Sequence, residues 1–109
     1  MENEDEEIIK LGDVIQLSGF KVIEPGEMVV IRKLVGSQVR KFQEIVENFE
    51  RLTIHLKPVH KTEQHMIYEL HADLIHSGKN LNVQAEARNL FMALSDIFRK
   101  LEEIIIKKK

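Results

Sequence analysis

Apolar residues recur at helical spacing in two long stretches of the chain. Between Met28 and Phe49, and again between Leu90 and Ile105, they lie three or four positions apart, which places them on one face of a helix. Pro25 suits the start of the first helix, and the Asn89 side chain is placed to cap the second. The pattern therefore predicts two amphipathic helices, each with one apolar side to bury.

Strand patterns fill most of the remaining chain. A short apolar run precedes the first helix, and three further segments follow it, two of them with clear alternation of apolar and polar residues. The four predicted strands are Asp13–Phe20, Leu52–Pro58, Met66–Ile75 and Leu81–Glu86. Because a turn sequence at 77–80 separates the last two, they are predicted to form a hairpin.

The order of these elements, β-α-β-β-β-α, predicts an α+β fold with two layers. Polar residues alternate along the strands, so one face of a four-stranded mixed sheet should meet solvent while both helices cover the other face. The helix between the first two strands predicts that they run parallel with a right-handed crossover. The later strands should form an antiparallel meander.

Composition limits the class of protein. The chain has 109 residues, 43% of them hydrophobic, with no cysteine and no apolar run long enough to span a membrane. Disulfide frameworks and thiolate chemistry are therefore excluded, and a reducing cytoplasm is the expected location. Residues 1–7 carry five acids and no base, which predicts a disordered acidic arm over 1–8 and a single domain over 9–109. The rest of the chain holds 16 bases against 13 acids.

No motif for catalysis or for cofactor binding is present. The chain lacks the P-loop, the dinucleotide-binding glycine pattern, the nucleophile elbow and the zinc-protease helix, so a non-enzymatic protein without cofactors is predicted. His55 and His71 lie on the predicted open face of strands that could be neighbours, and with a nearby carboxylate they are candidates for a metal site. An ordinary polar sheet surface is the simpler interpretation of the same residues.

Basic residues on the two helices are the better candidates for binding. Lysine and arginine side chains on the polar sides of adjacent helices could combine into one surface for phosphate groups, although any solvated helix carries such residues. The candidate residues are Arg40, Lys41, Arg99, Lys100, Lys107, Lys108 and Lys109.

Four stretches of the chain together resemble a known family: Leu17–Val22 (LSGFKV), Lys41–Phe49 (KFQEIVENF), Leu70–Glu86 and Asn89–Leu101 (NLFMALSDIFRKL). In this order they are similar to the first strand with its glycine turn, the end of the first helix, the hairpin and the last helix of the ribosome hibernation promoting factor family, also called ribosome-associated inhibitor A. The likeness extends over about residues 13–109 of the 109-residue chain.

The resemblance implies a cytoplasmic stress protein that binds rRNA near the decoding region of the small ribosomal subunit. Such a protein inhibits translation by occupying the space of mRNA and tRNA, without a membrane or a small-molecule substrate. Lys41, Lys100, Lys107 and Lys109 match the basic positions of the family, and Arg40 and Arg99 are their neighbours. Glu44, Glu102 and Glu103 depart from the family's pattern and favour an alternative, a protein-interaction or homodimerisation module that has lost RNA binding. The sequence is compatible with a monomer or a weak homodimer.

Overall fold

The computed structural model describes residues 8–61 and 66–107. Along the chain, the strands are β1 (Ile8–Leu11), β2 (Ile15–Ser18), β3 (Phe49–Lys61), β4 (Met66–His76) and β5 (Lys79–Ala87). The helices are α1 (Pro25–Ile45), between β2 and β3, and α2 (Leu90–Lys107), after β5. A single 3₁₀ turn, Phe20–Val22, connects β2 to α1. The two-layer α+β architecture is confirmed.

The sheet has five strands rather than the four expected from sequence, in the order β1-β2-β3-β4-β5. The extra strand, β1, pairs antiparallel with β2 through a short turn in which Gly12 adopts a positive φ of 71°. Four residues next to an acidic run are too few for a periodic pattern, so the sequence pattern places Ile8 in the acidic arm. Residues 1–7 of that arm lie outside the described part of the chain.

The remaining pairings agree with the sequence analysis. The strands β2 and β3 are parallel, as a helical crossover requires, and β3, β4 and β5 form an antiparallel meander. The turn between β4 and β5 is made by Ser77 and Gly78, which both have positive φ. This turn is held to the segment that leads from α1 into β3: the Ser77 hydroxyl donates to the Glu47 carbonyl at 2.9 Å, and the Gly78 N–H donates to Glu50 Oε2 at 3.0 Å.

The first helix ends earlier than the apolar pattern indicated. It stops at Ile45, and Phe49, which continues the helical spacing in the sequence, is the first residue of β3. The helix is followed by Val46 in an extended conformation, and Asn48, just before β3, adopts a left-handed conformation with φ 53°. Asparagine tolerates this conformation, so Asn48 suits the connection that leads into β3. Gly36 lies within the continuous helix.

One face of the sheet carries the core. Cross-strand partners such as Ile15, Leu52, Leu74 and Leu81 follow one another across β2 to β5 on this face, and all are buried. Both helices contribute their apolar sides to the same cluster, which confirms that they cover one face. The Phe42 and Phe98 rings lie where the two helices meet, with their centroids 6.3 Å apart in an edge-to-face arrangement. The second helix begins as predicted, since Asn89 Oδ1 accepts the Phe91 N–H at 2.8 Å.

Candidate nucleic-acid interface

Lys41 lies on the side of α1 that faces α2. Its Nζ is 3.3 Å from Glu102 Oε2, and Gln38 Nε2 donates to the same oxygen at 3.0 Å. The Lys41 side chain is 61% exposed and Glu102 29%, so the pair lies at the surface above the contact between the helices. Glu102, which departs from the family's pattern, is therefore the residue that holds Lys41 and Gln38 in place.

Arg99 lies on the outer surface of α2 between two carboxylates of its own helix. Its guanidinium nitrogens are 3.3 Å from Asp96 Oδ1 and 3.3 Å from Glu103 Oε2, at the i,i+3 and i,i+4 spacings that bring helix side chains together. The hydrogen bond to Asp96, together with the negative charge of Glu103, raises the pKa of Arg99 above its ordinary value. Arg99 therefore remains positively charged, and the carboxylates of Asp96 and Glu103 offset its charge.

Lys100 points in another direction, towards the edge of the sheet. Its Nζ donates to the backbone carbonyl of Gln84 in β5 at 2.6 Å. At 100° per residue, Lys100 and Glu102 lie about 160° apart around the α2 axis, so they lie on opposite flanks of the helix. The two lysines that the resemblance assigns to binding, Lys41 and Lys100, are therefore on different sides of α2.

The four cations nevertheless lie at a similar height along the two helices. Lys41 reaches Glu102, which is within one turn of Arg99 and Lys100, and Arg40 is adjacent to Lys41. We call this set the cationic band; it comprises Arg40, Lys41, Arg99 and Lys100. The band crosses the outer surface of the helical layer from α1 to the edge of β5. Three carboxylates are interleaved with it, those of Asp96, Glu102 and Glu103.

Arg40 differs from the other members of the band. Its side chain is exposed and makes no ion pair or hydrogen bond with the described residues. Arg32 and Lys33, in the first half of α1, have the same character and extend the free positive charge along this helix. Lys107 lies in the last turn of α2, while Lys108 and Lys109 lie outside the described residues.

The two histidines proposed as metal ligands are direct cross-strand partners. His55 in β3 is opposite His71 in β4 on the open face of the sheet. Each has its own partner: the Ser18 hydroxyl is 2.6 Å from His55 Nδ1, and Glu69 contacts His71 Nε2. No group of three potential metal-ligating side chains occurs among residues 8–61 and 66–107. The register that would have allowed a metal site is present, but a third ligand does not converge on it.

One further feature was not indicated by the sequence. An open cleft of about 460 Å³ lies where the C-terminal ends of the two helices meet the turn between β4 and β5. Its wall is mainly apolar, formed by Ile45, Val46, Leu81, Ile104 and Ile105, with Glu44, Glu47 and Lys79 around it. His76 lies at the cleft, and its Nδ1 is buried without a hydrogen-bond partner. The tertiary arrangement alone creates this cleft, since its residues come from four elements.

Neither helix of the described chain is long and apolar enough to cross a membrane. A scan against protein-family models and a search of curated proteins both found no match for the sequence. The candidate function therefore depends on the resemblance in the four stretches and on the geometry of the cationic band.

Proposed function

We propose that this protein binds the small ribosomal subunit through the cationic band and inhibits translation by occluding mRNA and tRNA near the decoding region. The observation that carries the proposal is the position of the band. Cations from both helices lie side by side across the outer surface of the helical layer, where an RNA backbone could contact several of them at once. The resemblance supports the same surface, because it assigns Lys41 and Lys100 to rRNA contacts.

The ion pairs within the band are compatible with phosphate binding. Exposed pairs such as Lys41 with Glu102 contribute only about 0–1 kcal/mol each, so a phosphate can replace the carboxylate at little cost. Arg99 is already held at the surface of α2 by Asp96 and Glu103. A guanidinium can form two hydrogen bonds to one phosphate, which suits Arg99 and the exposed Arg40 for contacts with the RNA backbone. The resulting recognition would depend on the shape of folded rRNA and little on its sequence.

The interleaved carboxylates predict moderate affinity with a clear dependence on salt. Four phosphate contacts correspond to a slope of about −3 in log K against log salt concentration. Binding should therefore weaken about 60-fold between about 50 and 200 mM salt. Replacing Glu102 with Gln removes one acid from the band and should tighten binding several-fold.

The test is sedimentation of the protein with purified small and large ribosomal subunits across a salt series. We expect binding to the small subunit at low salt, and its loss in the double variant Arg40→Glu with Lys41→Glu. The matched control is Arg51→Glu with Lys57→Glu, which makes the same change in net charge on β3, away from the helices. Protein that stays free of both subunits at low salt would overturn the proposal. Equal losses of subunit binding in the two double variants would show that the cationic band is not the binding surface.

A further inference from the structure

The strand β5 forms a long free edge of the sheet. It has nine residues and pairs only with β4 among the described strands, in a regular register without a bulge. The Gln84 carbonyl accepts a hydrogen bond from Lys100, so it points away from β4. In an antiparallel ladder every second residue points its backbone groups outward, which adds Asn82 and Glu86 to Gln84. These outward groups could pair with another strand.

The usual devices that block a free edge are absent from the middle of β5. Sheet edges are commonly protected by proline, bulges or charged side chains. Between Asn80 and Ala85 the strand has no proline and no charged residue, and its exposed side chains are Asn80, Asn82 and Gln84. The contact between Lys100 and the Gln84 carbonyl is the one block that the described residues provide. A single flexible lysine can leave this position easily.

The flank of α2 next to this edge carries charges of alternating sign. Asp96, Lys100, Glu103 and Lys107 are spaced by four, three and four residues, so they form one stripe along the helix. An antiparallel copy of the stripe is complementary to it: Asp96 would meet the partner's Lys107, and Lys100 the partner's Glu103. Arg99 contacts one oxygen of each carboxylate, Oδ1 of Asp96 and Oε2 of Glu103, and leaves the other oxygen of each for a second cation.

The strand edge and the stripe can be used together. The second helix packs on both β5 and β4. Strands are about 4.8 Å apart. Because α2 lies over both β4 and β5, its axis is about one strand spacing from the two-fold axis that would relate β5 to a second copy. The two α2 axes would therefore run antiparallel about 10 Å apart. This is the distance of packed helices. The contact of Lys100 with Gln84 also places the centre of the stripe level with the centre of the strand edge. A single two-fold axis can therefore relate both the two paired β5 strands and the two α2 stripes.

We propose that a second copy of this chain binds along β5, strand against antiparallel strand, with Gln84 opposite the partner's Gln84. In this dimer the Gln84 carbonyl accepts the N–H of the partner's Gln84. Lys100, released from that carbonyl, pairs with the partner's Glu103. The interface continues the sheet from five strands to ten. It leaves Arg40 and Lys41 exposed and takes up Lys100, one member of the cationic band.

The strand edge is tested by sedimentation velocity at protein concentrations up to about 0.2 mM, where a dimer with a dissociation constant of about 10 µM is mostly formed. We expect the wild-type mass to approach twice 12.7 kDa at low salt. Gln84→Pro removes the outward N–H and should weaken self-association at least about tenfold, since proline cannot donate. Gln84→Ala keeps the N–H and should still dimerise. A wild-type protein that stays at 12.7 kDa over this range, or dimerisation unchanged by Gln84→Pro, overturns the proposal.

The stripe is tested by complementary charge reversal, which leaves the strand intact. The variant Lys100→Glu with Lys107→Glu makes the stripe wholly negative, and Asp96→Lys with Glu103→Lys makes it wholly positive. Each should be monomeric at low salt, and an equal mixture should form heterodimers. If the mixture stays monomeric while wild type dimerises, the stripe is not part of the interface and the proposal is wrong. Loss of ribosome binding with Arg40→Glu and Lys41→Glu would not alter these results, so the two proposals fail separately.

Discussion

The two faces of the sheet are made by the same strands, but they differ in what their side chains do. On the covered face, buried residues such as Leu52, Leu70 and Leu74 pack against both helices. On the open face, neighbours in the same strands, such as His55 and His71, make individual polar contacts at the surface. The covered face therefore stabilises the fold through close packing, whereas the open face can change with little effect on it. Most of the candidate chemistry lies outside the packed core.

The largest difference is expected between two glycines with similar backbone angles. Gly19 and Gly78 have φ of 81° and 75°, so alanine is strained at either position by about 1–2 kcal/mol. A Cβ at Gly19 would also lie 2.2 Å from the Leu56 carbonyl oxygen, whereas one at Gly78 meets no atom within 4 Å. We expect Gly78→Ala to lower the free energy of unfolding by about 1 kcal/mol and Gly19→Ala by more than about 4 kcal/mol. Urea denaturation measures both, and equal effects would contradict the close approach of β2 to β3.

A matched pair of truncations in β4 compares the faces directly. Leu70→Ala leaves a cavity in the core and should lower the free energy of unfolding by about 3 kcal/mol, because Leu70 has no exposed surface. His71→Ala, one residue along the same strand, should cost less than about 1 kcal/mol, since it removes a surface contact with Glu69. Urea denaturation of the two variants measures both losses in the free energy of unfolding. A loss at His71 as large as that at Leu70 would show that the open face is structural.

The smallest effect is expected from a hydrogen bond within the open face. Asn82 Nδ2 donates to Asp73 Oδ1 at 2.6 Å, between residues directly opposite each other in β4 and β5. A double-mutant cycle with Asn82→Ala and Asp73→Ala should give a coupling energy of about 0.5 kcal/mol. Thermal unfolding of the four proteins measures it. A coupling above about 2 kcal/mol would mean that this face contributes to stability as the covered face does.

The positions of the candidate binding residues were predictable only in part. The helical spacing correctly placed Lys41 and Lys100 on helix surfaces, outside the apolar stripes. It could not show that Lys41 contacts Glu102 across 61 positions or that Lys100 reaches a strand 16 positions earlier. The positions of the basic residues in the sequence predict one pooled basic surface, whereas the structure has a band in which carboxylates alternate with the cations. The two differ because the flank of α2 that faces α1 carries Glu102, while Lys100 lies on the opposite flank.

The sequence by itself determined the faces of the strands, the buried sides of both helices, the start of α2 at Asn89 and the parallel pairing of β2 with β3. These follow from side-chain periodicity, a local cap and the length of a crossover, all of which act over short stretches of chain. Tertiary structure alone decided that Ile8–Leu11 adds a fifth strand, that Lys100 covers the Gln84 carbonyl, and that β5 pairs only with β4 among the described strands. These features depend on which distant groups become neighbours after the core has formed, and no local pattern encodes them.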